Sequence, residues 1–155
     1  MLKSIKKLVR PAVLRLLCLI LPGIPAGPVL ADIVKPALVE ISVNTNGTYE
    51  VEVRASIEAL LTGINARYKN TRDAPNAAEY DELRVLPATA LLQAFKPFHS
   101  RVTPEVQLLF DGQQVPLTIS RVDIPEPGYT KVPRISVIYL EGRIASSVRN
   151  VNWYY

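Results

Sequence analysis

Two stretches early in the chain alternate between apolar and polar positions. "KPALVEISV" sets Ala37, Val39, Ile41 and Val43 on one side and Leu38, Glu40 and Ser42 on the other. "TYEVEVRA" does so more cleanly, with Tyr49, Val51, Val53 and Ala55 against Glu50, Glu52 and Arg54. Period two with one polar face predicts half-buried antiparallel strands. The intervening "NTNG" carries an Asn46-Gly47 step that tolerates positive φ and closes a hairpin. The period then lengthens. Ile57, Leu60, Leu61 and Ile64 recur at helical spacing behind Ser56 as a cap, with Glu58 suited to the positive helix start. "KNTRDAPN" is a loop, and "AAEYDELRVL" predicts a second short helix with Tyr80, Leu83 and Leu86 on one side. Pro87 is placed to open a third helix as its first residue, carrying Leu91, Leu92, Phe95 and Phe98 as a stripe, with its end frayed by Pro97.

Alternation returns at "EVQLLFDGQQVPLTISRV". Val106, Leu108 and Phe110 face inward, "DGQQ" turns, and Val115, Leu117 and Ile119 face inward again. Arg121 then falls on the inward phase and Val122 on the outward one, which predicts a bulge near Ser120. "DIPEPGYTKVP" is a Pro/Gly loop. "RISVIYLEG" is apolar on both faces, as a central strand is, and "VRNVNWYY" starts a further strand with Val151, Trp153 and Tyr155 on one face. About six strands with three helices after the second predict a mainly β domain. The best-fitting architecture is an immunoglobulin-like β-sandwich with a helical insertion over residues 56–100, and the alternative is a layered α+β domain in which the helices cover one sheet.

The first thirty-one residues do not fit this pattern. Lys3, Lys6, Lys7, Arg10 and Arg15 precede an uncharged run from Leu16 to Ala31 that contains Pro22, Pro25 and Pro28. A spanning helix needs roughly 20 apolar residues, and the prolines interrupt this shorter run. A basic region, a short apolar core and small residues at Val29 and Ala31 predict a secretory signal peptide, residues 1–31, cleaved before Asp32. The alternative is an uncleaved N-terminal anchor. Cys18 follows Leu17 where a lipoprotein signal has a small residue, so lipidation is not expected.

Removing the leader changes the charge. Five of the 18 Lys and Arg precede Ala31, whereas all 14 Asp and Glu follow it. Residues 32–155 thus carry a net charge near −1, and the basic balance that phosphate neutralisation by nucleic-acid binders requires is absent. Cys18, the sole cysteine, leaves with the leader, so the mature domain has no disulfide even in an exported setting that permits one.

Candidate chemistry is sparse. His99 is the only histidine, and with no mature Cys or Met the chain offers no soft-metal cage of its own. No Ser lies in a G-x-S-x-G elbow and no glycine loop is built for phosphate, so neither catalysis nor a cofactor is expected. His99 reads as a helix-end residue whose charge would suit the C-terminal dipole. The acidic stretch "DAPNAAEYDELR" supplies the remaining candidates. Asp73, Asn76, Glu79, Asp81 and Glu82 are possible oxygen ligands for a hard cation or contacts for a partner. They lack the ligand ladder and turn glycine of an EF-hand. The structural reading has Asn76 or Asp73 capping the helix, Glu79 near its positive end, and Asp81 and Glu82 on the wet face.

The segments "ADIVKPALVEISVNTNGTYEVEVRASIEALLTGI", "DAPNAAEYDELR", "LLFDGQQVPLTI" and "VNWYY" resemble the extracytoplasmic N-terminal domain of HupE/UreJ-type membrane proteins. The likeness spans nearly all of residues 32–155. It implies an exported β-domain followed by transmembrane helices, in a family associated with nickel or cobalt uptake. The histidine and acidic transport motifs of that family lie in the membrane helices, and none occurs here. The resemblance therefore implies a non-catalytic periplasmic accessory or sensor domain, partnered by the membrane region of a longer parent. The alternative is a free exported binding or interaction module. The end of the chain points the same way as the resemblance: "NVNWYY" stops in mid-strand on two tyrosines, and a continuation past Tyr155 is expected.

Overall fold

The computed structural model describes residues 33–101, 106–144 and 148–155. The predicted signal peptide and its cleavage point lie outside the described residues. Seven strands form two antiparallel sheets, with short helices between the second strand and the third. In order these are β1 (Leu38–Val43), β2 (Thr48–Ala55), α1 (Ile57–Thr62), α2 (Ala77–Arg84), α3 (Ala88–Phe95), β3 (Gln107–Phe110), β4 (Gln113–Val115), β5 (Thr118–Asp123), β6 (Ser136–Arg143) and β7 (Val151–Tyr154). The four-stranded sheet runs β1-β2-β6-β5 and the three-stranded sheet β4-β3-β7.

The alternation of β1 and β2 gives a continuous register from Leu38 opposite Arg54 to Val43 opposite Tyr49. Their turn bends at Gly47, φ +79°, where a side chain would press on the Ile144 carbonyl. β6 lies between β2 and β5, the central place its two apolar faces predict. Its Ile138 and Leu140 join Tyr49, Val51, Ile57, Leu91, Phe95, Leu108 and Phe110 in one core, so both sheets and two helices bury side chains together. A second cluster, centred on Tyr80 with Ala59, Ile64 and Ala74, packs α2 against α1. The bulge predicted near Ser120 is present: the register with β6 slips between Ile119 and Arg121.

Between Phe110 and Asp123 the chain makes a hairpin and then changes sheets. Asp111 and Gly112 both take positive φ, 48° and 81°, which suits the twist of a two-residue hairpin turn. β4 then ends at Val115 and the chain passes at Pro116 into the other sheet as β5. Proline has no N–H for a ladder, so a sheet-to-sheet crossing suits it. The Tyr49 hydroxyl donates to the Pro116 carbonyl and its ring lies 5.2 Å from that of Phe110, which ties the crossing to the core. The same ring covers Gly142 on β6, where any Cβ would overlap it. Burial raises the Tyr49 phenol above its ordinary pKa.

Two local expectations are corrected and one is extended. Ser56 caps α1, accepting from Ala59 N at 3.3 Å, and Glu58 stands in its first turn as expected but is buried there. Its side chain is 1% exposed and pairs at 2.8 Å with the Nε of Arg134, itself 6% exposed. Ser56 donates to the other carboxylate oxygen at 2.8 Å. Arg134 also donates to the carbonyls of Leu86, Pro125 and Leu83 at 3.0, 3.2 and 3.4 Å. One guanidinium thereby joins α1, the end of α2 and the loop before β6. Asn76 opens α2 without a side-chain cap; its amide instead donates to the Thr62 carbonyl at 2.9 Å, at the end of α1. Pro87 stands one place before α3, whose first N–H, from Ala88, reaches the Glu126 carboxylate at 3.2 Å.

Candidate functional site

The acidic stretch singled out in the sequence is spread along the surface. Asp73 ends a single 3-10 turn, Asn76 precedes α2, and Glu79, Asp81 and Glu82 are exposed on that helix. Asp81 pairs with Arg84 one turn on, at 3.1 Å, and Arg84 lies over the Tyr80 ring at 4.9 Å. Among the described residues no group of three or more His, Cys, Asp or Glu side chains is placed to hold a metal ion. His99 follows the 3-10 turn Lys96–Phe98 and packs edge-on against Phe95, with ring centroids 4.8 Å apart. Burial foremost, and the charge of Lys96 next, hold its imidazole below the usual histidine range. The environment favours the neutral ring, contrary to the charged helix-end role expected of it.

The better candidate lies on the outer face of the four-stranded sheet. Register sets Ser42 opposite Glu50, Glu50 opposite Glu141, and Glu141 opposite Thr118, so one rung crosses all four strands. Thr48 opposite Arg143 forms the adjoining rung. Together with Asn44 and Ser120 these side chains border an open hollow of ≈ 750 Å³. The bulge matters here. Ser120 drops out of the pairing and its hydroxyl donates to Glu141 at 2.8 Å. The next rung carries Glu40, Glu52, Tyr139 and Arg121, with the Arg121 guanidinium 3.9 Å over the Tyr139 ring and 2.7 Å from Asp123.

Two glutamate pairs, Glu50–Glu141 and Glu40–Glu52, thus stand directly opposite on neighbouring strands. Like charges so placed destabilise a sheet. Around the first pair the hydroxyls of Ser42, Thr48, Thr118 and Ser120 both donate and accept, the carboxylates only accept, and Asn44 and Arg143 donate. The arrangement suits recognition of a polar ligand or surface through hydrogen bonds. Sequence reading passed over this face because each strand alone shows only its polar phase. The one available signal was the bulge, which marks a place where a side chain is re-aimed.

Comparison with protein-family models, with curated proteins and with solved structures finds no match to this chain.

Proposed function

We propose that residues 32–155 are a non-catalytic, extracytoplasmic binding domain with an immunoglobulin-like sandwich architecture, serving as the accessory or sensor domain of a HupE/UreJ-like membrane transporter. The observation that carries the reading is the outer face of the four-stranded sheet, where hydroxyls and paired carboxylates from four strands border one hollow. Two antiparallel sheets sharing one core support the sandwich. The leader pattern of residues 1–31 supports export. The link to nickel or cobalt uptake rests on the resemblance alone, with the metal as cargo of the parent's membrane region. A free exported interaction module is the second reading, favoured by the same polar face, which needs no tether to act.

The native protein decides between them. Antibody against the folded domain should recover it from the membrane fraction of the cells that make it, with Asp32 as its N-terminus and either a mass above that of residues 32–155 or a co-purifying polytopic membrane protein. Recovery from the soluble extracytoplasmic fraction at the mass of residues 32–155 would establish the free module. Recovery from the cytoplasm with Met1 in place would overturn both.

A further inference from the structure

Among the described residues the two sheets end in four edge strands, β1 and β5 in one and β4 and β7 in the other. An open edge templates pairing with another chain unless bulges, charges, proline or shortness blunt it. β5 carries the Ser120 bulge and the charged Arg121 and Asp123. β4 has three residues and stops at Pro116, and β7 has four. β1 has six, in unbroken register with β2, with no proline and with Glu40 as its single charge. Its Leu38 and Val43 are 62% and 44% exposed.

From these edges we infer that β1 pairs antiparallel with β1 of a second copy of this chain, joining two four-stranded sheets into one. The ladder shows which groups are available. Asn44 N–H donates to the Thr48 carbonyl at 2.8 Å. Antiparallel pairs alternate between bonded and non-bonded, so the bonded positions along β1 are Ser42, Glu40 and Leu38. The N–H and C=O of Val39, Ile41 and Val43 therefore point away from β2, toward the open edge.

A two-fold pairing centred on Ile41 uses all three. Ile41 meets the second copy's Ile41, and Val39 meets the second copy's Val43 twice over, for on the order of six backbone hydrogen bonds. Charge selects this register. Centred on Glu40, the pairing would set two carboxylates against each other at a non-bonded pair, where side chains approach most closely. Centred on Ser42, it would push Val39 out of the strand against Thr45 in the turn. Centred on Ile41, it places each Glu40 beside the second copy's Ser42, a hydroxyl that can donate to it. The contact extends the polar outer face across two copies and does not depend on a tether to a transporter.

The test uses the whole chain carrying Cys18→Ser, so that introduced thiols are alone. Differently tagged Glu40→Cys and Ser42→Cys chains are co-expressed and oxidised. The mixed pair should yield several-fold more disulfide-linked dimer than Ser42→Cys alone or than Thr118→Cys on the opposite edge. Equal yields, or a preference for linkage between two Ser42→Cys chains, would overturn the inference. Sedimentation gives an independent reading. Val43→Pro removes an N–H that faces only the second copy, so it should keep the native circular dichroism and lower the fraction of dimer. A native protein that sediments as a monomer at every concentration would also overturn the inference, leaving the edge open to a strand of another chain.

Discussion

Arg134, in the loop before β6, ties that loop to α1 and to the end of α2. A buried ion pair costs desolvation on both sides, so its presence says little about net stability. Removing one member is a different matter, because the other charge is left in the interior. Arg134→Ala or Glu58→Ala should each cost about 3–5 kcal/mol, read by urea unfolding. Glu58→Leu combined with Arg134→Met should cost far less than the two single losses together, with the difference appearing as coupling in a double-mutant cycle. His99 gives a second expectation, in pH. Its folded pKa is lowered, so the unfolded chain binds the proton more readily. The stability tied to its neutral ring is fully present above the ordinary histidine range and is lost as pH falls through the folded value. Thermal unfolding should therefore come earlier at about pH 5.5 than at about pH 7.5, and His99→Asn should narrow that gap.

At the scale of the element, the stretch from Asp73 to Arg84 separates burial from charge. Leu83 packs on the main core while Asp81 is exposed and pairs along its own helix with Arg84. Leu83→Ala should cost about 2 kcal/mol, toward the lower end for a core truncation because the side chain is half-buried, and Asp81→Ala should stay within about 0.5 kcal/mol, both by denaturant midpoint. This helix was legible because Tyr80 and Leu83 recur at helical spacing. The bulge was legible too, since Arg121 and Val122 fall out of phase. Other features left no trace in periodicity. Val115, Leu117 and Ile119 keep their phase straight through Pro116, so the pattern reads one strand where the chain changes sheets. An acid in the first turn of a helix looks the same whether it faces water or a distant arginine, and so the Glu58–Arg134 pair was not legible. The candidate site was the least legible of all. Its rung joins Ser42, Glu50, Glu141 and Thr118 from four strands, and only register places them side by side.

The two-sheet fold is organised about β6, which reaches β2 only after α1 to α3 and β3 to β5 have intervened in sequence. Before that pairing forms, β2 has only the β1 hairpin, and a two-stranded hairpin is marginal alone in water. The entropy of closing the long intervening loop must be met before the central ladder returns any stability. Refolding should accordingly be slow for a chain of this size, in the millisecond-to-second range of non-local β topologies, as stopped-flow fluorescence of Trp153 can follow. A nascent chain that ends before Ser136 should leave the amides of β2 open to hydrogen exchange, whereas the finished chain protects them. While it is being made, the chain thus lacks the one strand that pairs with both β2 and β5, and the four-stranded sheet closes only once Ser136 to Arg143 are in place.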